Sequence, residues 1–166
     1  MMNYGEIDFQ QTIKKGKSGE LIFKDDFLDF LGIKYIDVTG CQRFQVLDTD
    51  YMTKIGSYEI KTNYRDNREI IIEEYTNHNQ KLGKISLGWF YKSKADLLIF
   101  ISKTSRTMVF LPFTSLFKEA YENIKNDHQL KRNKISVYNG RKWQSAFRVI
   151  PLKSITGFYS LYKKLI

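Results

Sequence analysis

Asp50-Tyr51-Met52-Thr53-Lys54-Ile55-Gly56-Ser57-Tyr58-Glu59-Ile60-Lys61-Thr62 is the stretch on which the fold turns. Lys54 to Ser57 has the character of a tight turn, so the segment reads as a hairpin with an acid on the first arm and an acid-x-lysine on the second. Side chains alternate faces along a strand, which puts Glu59 and Lys61 on one face and Tyr58, Ile60 and Thr62 on the other. With Asp50 paired on the same face, two carboxylates and an ammonium converge. Two hard oxygen ligands suit Mg²⁺, which keeps several waters and needs only one or two protein carboxylates. A lysine beside the metal can orient or deprotonate a water, an arrangement suited to cutting a phosphodiester. Acid-x-Lys triplets are also frequent in any Lys- and Glu-rich chain, and a charged strand face is their commonest origin, so context has to decide.

Working outward, Phe44 to Met52 alternates and predicts the preceding strand, with Phe44, Val46, Asp48, Asp50 and Met52 on one face. Asp48 competes with Asp50 as the strand acid, and Asp50 is preferred because it stands nearer the turn and Glu59. Residues 10–31 predict a helix, interrupted near Gly16–Gly19, with Ser18 as N-cap, Glu20 in the first turn and Gly32 as the stop. Further strands are expected at Lys34–Val38, Arg68–Thr76, Leu97–Ile101 and Thr107–Leu111, and a helix at Phe113–Lys125. Between Thr62 and Asp96 only a strand and a short helical stretch near Trp89 are legible, and Trp89-Phe90-Tyr91 reads as a core plug. Glu73 and Glu74 either add a carboxylate to the site or form a solvated strand end. Tyr138-Asn139-Gly140-Arg141 is a hairpin turn, and Pro151 suits the first turn of a terminal helix. The expectation is an α/β (α+β) layered fold: a central mixed sheet, flanking helices, and an extra C-terminal hairpin and helix.

The chain has 166 residues, 42% of them apolar and 15% aromatic, which predicts one globular domain over 1–166. No run approaches the ~20 apolar residues of a membrane span, and the N-terminus lacks the pattern of a signal peptide. The single Cys41 excludes an internal disulfide and fits a cytoplasmic setting. One Cys and two His cannot supply a standard structural zinc set.

Charge is uneven. Residues 1–117 hold sixteen Lys/Arg against fifteen Asp/Glu, whereas residues 118–166 hold eleven against three. A one-sided basic block interleaved with aromatics is the footprint expected of a surface facing a polyanion. Lys131, Arg132, Lys134, Arg141, Lys142 and Arg148 are its candidate phosphate contacts. A basic face that only aids solubility, or one that meets an acidic protein, is the competing explanation.

Glu20 in the first helix, Asp50 on a strand and Glu59-Ile60-Lys61 on the next make the chain resemble the PD-(D/E)XK nuclease superfamily. Gly19-Glu20 with Phe23, Phe27 and Gly32-Ile33 is similar to the opening helix of its Holliday-junction-resolvase-like branch. Gly88-Trp89-Phe90-Tyr91-Lys92-Ser93-Lys94-Ala95-Asp96 resembles a segment of small phage and mobile-element members. The resemblance covers residues of about 10–111 and leaves 112–166 as a basic extension. Thr49 stands where the family has proline, and the usual crossover helix after the triplet is not evident. The resemblance implies a restriction-endonuclease-like fold and a Mg²⁺-dependent DNA endonuclease, with Mn²⁺ able to substitute. It assigns Asp50, Glu59, the Ile60 carbonyl and Glu20 to the metal and Lys61 to the attacking water. It also implies branched DNA as substrate and a homodimer. The alternatives are a catalytically degenerate nucleic-acid-binding or regulatory protein on the same fold, and a protein that engages an acidic partner.

Overall fold

The computed structural model describes residues 14, 16–45, 47–63, 68–79, 81, 83–138 and 141–163. In chain order these form helix α1 (16–23, widening into π-helical turns over Lys24–Asp29), β1 (Tyr35–Asp37), α2 (Gln42–Gln45), β2 (Tyr51–Thr53) and β3 (Gly56–Asn63). There follow β4 (Glu69–Asn77), β5 (Ser86–Leu87), α3 (Trp89–Lys92), β6 (Leu97–Ser102), β7 (Thr107–Pro112) and α4 (Ser115–Ile124). The last part comprises β8 (Lys131–Arg132), β9 (Ser136–Tyr138), β10 (Arg141–Trp143), β11 (Ala146–Pro151) and β12 (Ser160–Lys163). The chain is a mixed α+β fold. Its main sheet runs β1-β2-β3-β6-β7-β12, and a second sheet runs β5-β4-β11-β8. Among the described residues, β3 and β6 are the one pair of the main sheet that runs parallel. A parallel pair needs a long connection, and here that connection carries β4 and the one-turn α3 in place of a crossover helix.

The period-2 pattern explains how both faces of the main sheet are covered. Tyr58, Ile60, Ile99, Ile101, Met108 and Phe110 pack with Phe23 and Leu28 of α1. Leu98, Phe100, Val109 and Leu111 face the other way, onto Ile70, Ile72 and Ile150 of the second sheet and Phe117 and Tyr121 of α4. Strands buried on both faces read as continuous apolar runs, which is why β6 and β7 are plain in the sequence. Helix α4 begins where Phe117 donates its N–H to Thr114 Oγ1 at 3.2 Å, an N-cap bond. Trp89 and Phe90 are 8% and 1% exposed, as a core plug should be.

Four expectations need correction. The segment 44–52 is not a strand: α2 is closed by Gln45 N–H donating to Cys41 O at 3.0 Å, and Thr49 N–H turns back to Phe44 O at 3.2 Å. Asp48 has φ 48°, a left-handed conformation that Asp tolerates better than most residues. Only Tyr51–Thr53 remains extended, so Asp48 and Asp50 do not alternate along one strand. Ser18 lies inside α1, not at its cap, and the helix is unbroken from 16 to 20. Gly32 does stop it, with φ 65°. Residues 10–13 and 15 of that helix lie outside the described part, as do Asn139 and Gly140 of the hairpin, whose arms pair through Arg141 and Tyr138.

Lastly, Pro151 ends β11 and opens a single 3₁₀ turn, Leu152–Ile155, in place of a terminal helix. Gly157, at φ 92°, turns the chain back so that β12 pairs antiparallel with β7. The basic segment is therefore woven into both sheets: β8 and β11 belong to the second, and β12 closes one edge of the main one. Among the described residues no helix is long and apolar enough to cross a membrane.

Candidate active site

The site arises from a mismatch in strand length. β2 pairs with β3 only over Tyr51–Thr53, while β3 runs on to Asn63. Asp50 N–H still donates to Tyr58 O at 2.8 Å, and there β2 departs. The next donor on that side of β3, Ile60 N–H, would be left without a strand partner. Asp50 supplies one: its Oδ2 accepts from Ile60 N–H at 2.8 Å. This bond fixes the Asp50 carboxylate in the notch. It also identifies the side of β3 that faces the notch, and the Ile60 carbonyl points the same way as its N–H.

Glu59 and Lys61 share a face, aligned with Leu98 and Phe100 of β6. Glu59 is 5% exposed and its Oε1 accepts from Lys61 Nζ. Asp48 acts on them from the turn, which the segment just after α3 braces: Lys94 N–H donates to Leu47 O at 3.0 Å, and Ser93 Oγ donates to Asp48 O at 3.4 Å. Glu20 approaches from α1, where Tyr51 OH donates to the Glu20 carbonyl at 3.3 Å. Glu20, Asp48, Asp50, Glu59 and Lys61 thus form one electrostatic cluster. Of the sequence-predicted residues, Asp50 touches the Ile60 N–H and Glu59 touches Lys61, whereas Glu20 and Asp48 act on this group through their charges and from different elements.

Four carboxylates surround Lys61, with Lys17 also acting on Glu20 and Lys92 on Asp48, and burial dominates their proton affinities. Burial pushes Asp50 up against the opposing Ile60 N–H bond, and the charge of Glu20 adds to the rise. Burial likewise raises Glu59 despite Lys61 beside it. Glu20 is raised by burial and then by Glu59, and Asp48 by burial. Burial alone would lower Lys61, but Glu59, Asp48 and Asp50 hold it above its ordinary value. In the metal-free chain Lys61 is therefore a charged donor at neutral pH, suited to orienting a water or a phosphate more than to removing a proton.

Among the described residues no three His, Cys, Asp or Glu side chains are arranged to hold a metal ion. Mg²⁺ asks for less, since one or two carboxylates suffice with waters completing the shell. The half-buried Asp50 and the buried Glu59, both holding their protons chiefly because burial disfavours the charged form, are a donor pair of that kind. A pH dependence follows. In the unfolded chain both carboxyls titrate near about 4, whereas the folded chain holds their protons to higher pH. Between those values the native state binds more protons than the unfolded state, so their contribution destabilises the fold as pH rises through that window. Without metal the melting temperature should fall between about pH 5.5 and about pH 8, and Mg²⁺ should restore it far more at the higher pH. Thermal melts in EDTA and in Mg²⁺ check this, and an equal Mg²⁺ effect at both pH values would place the cation elsewhere.

Gly19 sets the distance of Glu20 from the notch. A Cβ there would fall 2.1 Å from Thr62 Oγ1 and 3.2 Å from Thr62 Cβ, so with Thr62 as it stands a side chain at position 19 would force α1 away from β3 or turn the Thr62 hydroxyl aside. Gly19→Ala should push Glu20 outward and lower any activity of the site by about 10- to 100-fold, the usual scale for misplacement of about 1 Å. The double change Gly19→Ala/Thr62→Ala should recover most of it. Activity of the two variants, with thermal melts to confirm folding, decides the point.

On the face of the sheet that carries Lys61, the second sheet rises as a wall and forms a cavity of about 370 Å³. Lys61, Thr62 and Phe100 make its floor, Ile71, Glu73 and Phe147 its wall, and Trp89 and Asn133 line the remainder. The Lys61 ammonium stands 5.1 Å from the centre of the Trp89 ring. Glu73 is held by Thr76 Oγ1, 3.3 Å away, and by the Trp89 N–H. Glu73 and Glu74 go to opposite faces of β4. Glu73 joins the Lys61 cavity, and Glu74, 2% exposed, turns to the core, so neither is a solvated strand end.

Of the basic residues, Lys131, Arg132, Lys134 and Lys142 are exposed. Arg132 donates to His78 Nδ1 at 3.2 Å and, with His78, Asn79, Lys81, Ile85 and Gln144, lines a second recess of about 540 Å³. The Arg141 side chain lies outside the described part. Arg148 requires correction: it is turned inward, donating from Nε to Glu74 Oε1 at 2.7 Å and also to the His128 carbonyl. It is not available to grip a phosphate backbone. Sequence reasoning did not single out Gly19, Asn133 and Phe147 for the site. Alternation along β11 would have placed Phe147 opposite Arg148, but not over Lys61. No family model, curated protein or solved structure matches this chain.

Proposed function

We propose that this protein is a divalent-metal-dependent deoxyribonuclease of the PD-(D/E)XK kind, hydrolysing phosphodiester bonds at the notch between β2 and β3. The observation that carries the reading is the Asp50 carboxylate fastened to Ile60 N–H, which aims it at the notch that Glu59 and Lys61 share. Asp50 and Glu59 would hold Mg²⁺ or Mn²⁺, with the Ile60 carbonyl on the same side of β3 and Glu20 acting through a water. When bound, the metal supplies Lewis acidity at the scissile phosphate. The chain's own residues do the rest. Lys61 donates to the attacking water or to a phosphate oxygen and neutralises charge that develops there. The buried Glu59 keeps Lys61 charged and in place. Lys131, Arg132, Lys134 and Lys142, exposed on and around the second sheet, meet flanking phosphates and make binding salt-dependent. The exposed free Cys41 fits a reducing cytoplasmic setting.

A second reading has one observation in its favour. Glu59 spends one carboxylate oxygen on the Lys61 ammonium, as it would in a nucleic-acid-binding protein that uses the two as a structural ion pair on a degenerate nuclease fold. A labelled panel separates the two: four-way junction, flap, duplex and single-stranded DNA, and RNA, each in Mg²⁺, Mn²⁺ or EDTA. Metal-dependent cutting supports the nuclease and names its substrate, branched DNA and a dimer being the expectation for a resolvase. Binding without cutting in any metal would favour the degenerate reading, and neither binding nor cutting would point to an acidic protein partner.

A further inference from the structure

The corner over Lys61 has a chemistry that phosphate binding does not use. Its wall presents Phe147 and Ile71, the latter 38% exposed, and Trp89 and Phe100 back it with aromatic faces. Two polar groups stand among them. Glu73 offers a carboxylate, and Asn133 an amide held by its Nδ2 bond to Ser145 Oγ at 2.7 Å. A volume of about 370 Å³ lies in the range of pockets that enclose a small planar molecule. Aromatic surface with a few fixed polar groups is the environment that receives a nucleobase, by stacking on its faces and hydrogen bonding at its edge.

We infer that the corner between the two sheets is a subsite for an unstacked nucleobase, adjoining the phosphate that Lys61 contacts. The inference rests on the nuclease reading of the notch and deepens it by naming the substrate class. Lys61 belongs to both places: its ammonium reaches Glu59 on one side and lines the corner on the other. A strand with a phosphate at the notch therefore carries an adjacent base to the Phe147 wall. Bases inside a regular duplex hide their faces in the stack, so an intact duplex has nothing to put there. The substrate must offer a base free of its stack, in a single strand, a flap, or the unpaired positions of a branched molecule. Stacking is tolerant of base identity, so the corner selects for strand state more than for sequence.

The test compares a short oligothymidylate with an abasic tetrahydrofuran strand of equal length, two probes with the same phosphates that differ only in having bases. Binding of the full chain is read by fluorescence anisotropy in EDTA, where no cutting intervenes. The oligothymidylate should bind about five- to hundredfold more tightly, the range of single stacked bases. Phe147→Leu, which keeps apolar volume but removes the ring, should erase most of that difference while leaving the abasic affinity unchanged. Ile71→Ser, at a position already 38% exposed, samples the same wall without opening the core and should reduce the difference in the same direction. Equal affinity for the two strands would overturn the subsite, as would a preference that both variants leave untouched. Cutting assays in Mg²⁺ keep the two ideas apart. Cleavage with equal affinities would sink the subsite and leave the nuclease standing, whereas base-dependent binding without cleavage would sink the nuclease and keep the subsite.

Discussion

Lys61→Ala should lower metal-dependent cleavage by about 10²–10⁴-fold while leaving nucleic-acid affinity in EDTA within about threefold, the pattern of a residue whose contribution is made at the transition state. The size follows from where Lys61 stands. It is a cation acted on by Glu59, Asp48 and Asp50 and in contact with Glu59, and it borders the space where a phosphate would lie. Removing it withdraws the donor that orients the water and leaves Glu59 buried without its partner, so the metal-free protein should also hold the Glu59 proton to still higher pH. Asp50→Asn is the cleaner companion. An amide oxygen can go on accepting the Ile60 N–H bond, so the notch keeps its shape while one negative charge is lost. It should cut as poorly as Lys61→Ala, and it should also abolish the stabilisation by Mg²⁺ at about pH 8. Initial rates on the best substrate of the panel, anisotropy in EDTA and melts in Mg²⁺ give the three readouts. Undiminished cutting by either variant would remove the notch from the mechanism.

How far the site could be read in advance depended on whether local periodicity controlled the residue in question. The pairing of Glu59 with Lys61 and the runs of β6 and β7 are consequences of strand alternation, so they were legible. The alternation over 44–52 was misleading because a helical turn and the left-handed Asp48 can carry the same apolar spacing over so short a segment. Asp50 stands beside β3 for a different reason: it ends β2 by replacing a missing strand neighbour. The split between Glu73 and Glu74 was latent in alternation along β4, but which face met Lys61 depended on how the second sheet stands against the first. Counting charge beyond residue 117 located the basic segment and could not show that one of its arginines points inward. The terminal strand was missed because Pro151 permits both a helix start and a strand end, and pairing with β7 is a tertiary choice.

Arg148 leads to the second large effect, which concerns stability. Glu74 and Arg148 form a buried ion pair with side chains 3% and 12% exposed, and Tyr121 OH donates to Glu74 Oε1 at 2.6 Å. This network ties β4, β11 and α4 together beneath the second sheet, the wall of the Lys61 corner. Breaking a buried pair by removing one member strands the other charge, at a cost of about 3–5 kcal/mol. Glu74→Ala and Arg148→Ala should each lose that much, a large part of the roughly 5–15 kcal/mol by which a domain is stable. Tyr121→Phe, which deletes one charge-assisted bond, should cost about 1.5–3 kcal/mol. The double change Glu74→Leu/Arg148→Met leaves no orphaned charge and should recover most of the loss, because apolar replacement of a whole buried pair is often neutral. Urea unfolding of the four variants measures all of this. The same variants separate architecture from binding. Under conditions where it remains folded, Arg148→Ala should bind nucleic acid with unchanged affinity and salt slope, whereas alanine at the exposed Lys131 or Lys142 should weaken binding and reduce the slope by about one. A lower salt slope for folded Arg148→Ala would mean that the arginine leaves Glu74 for a phosphate, and that the network opens when nucleic acid binds.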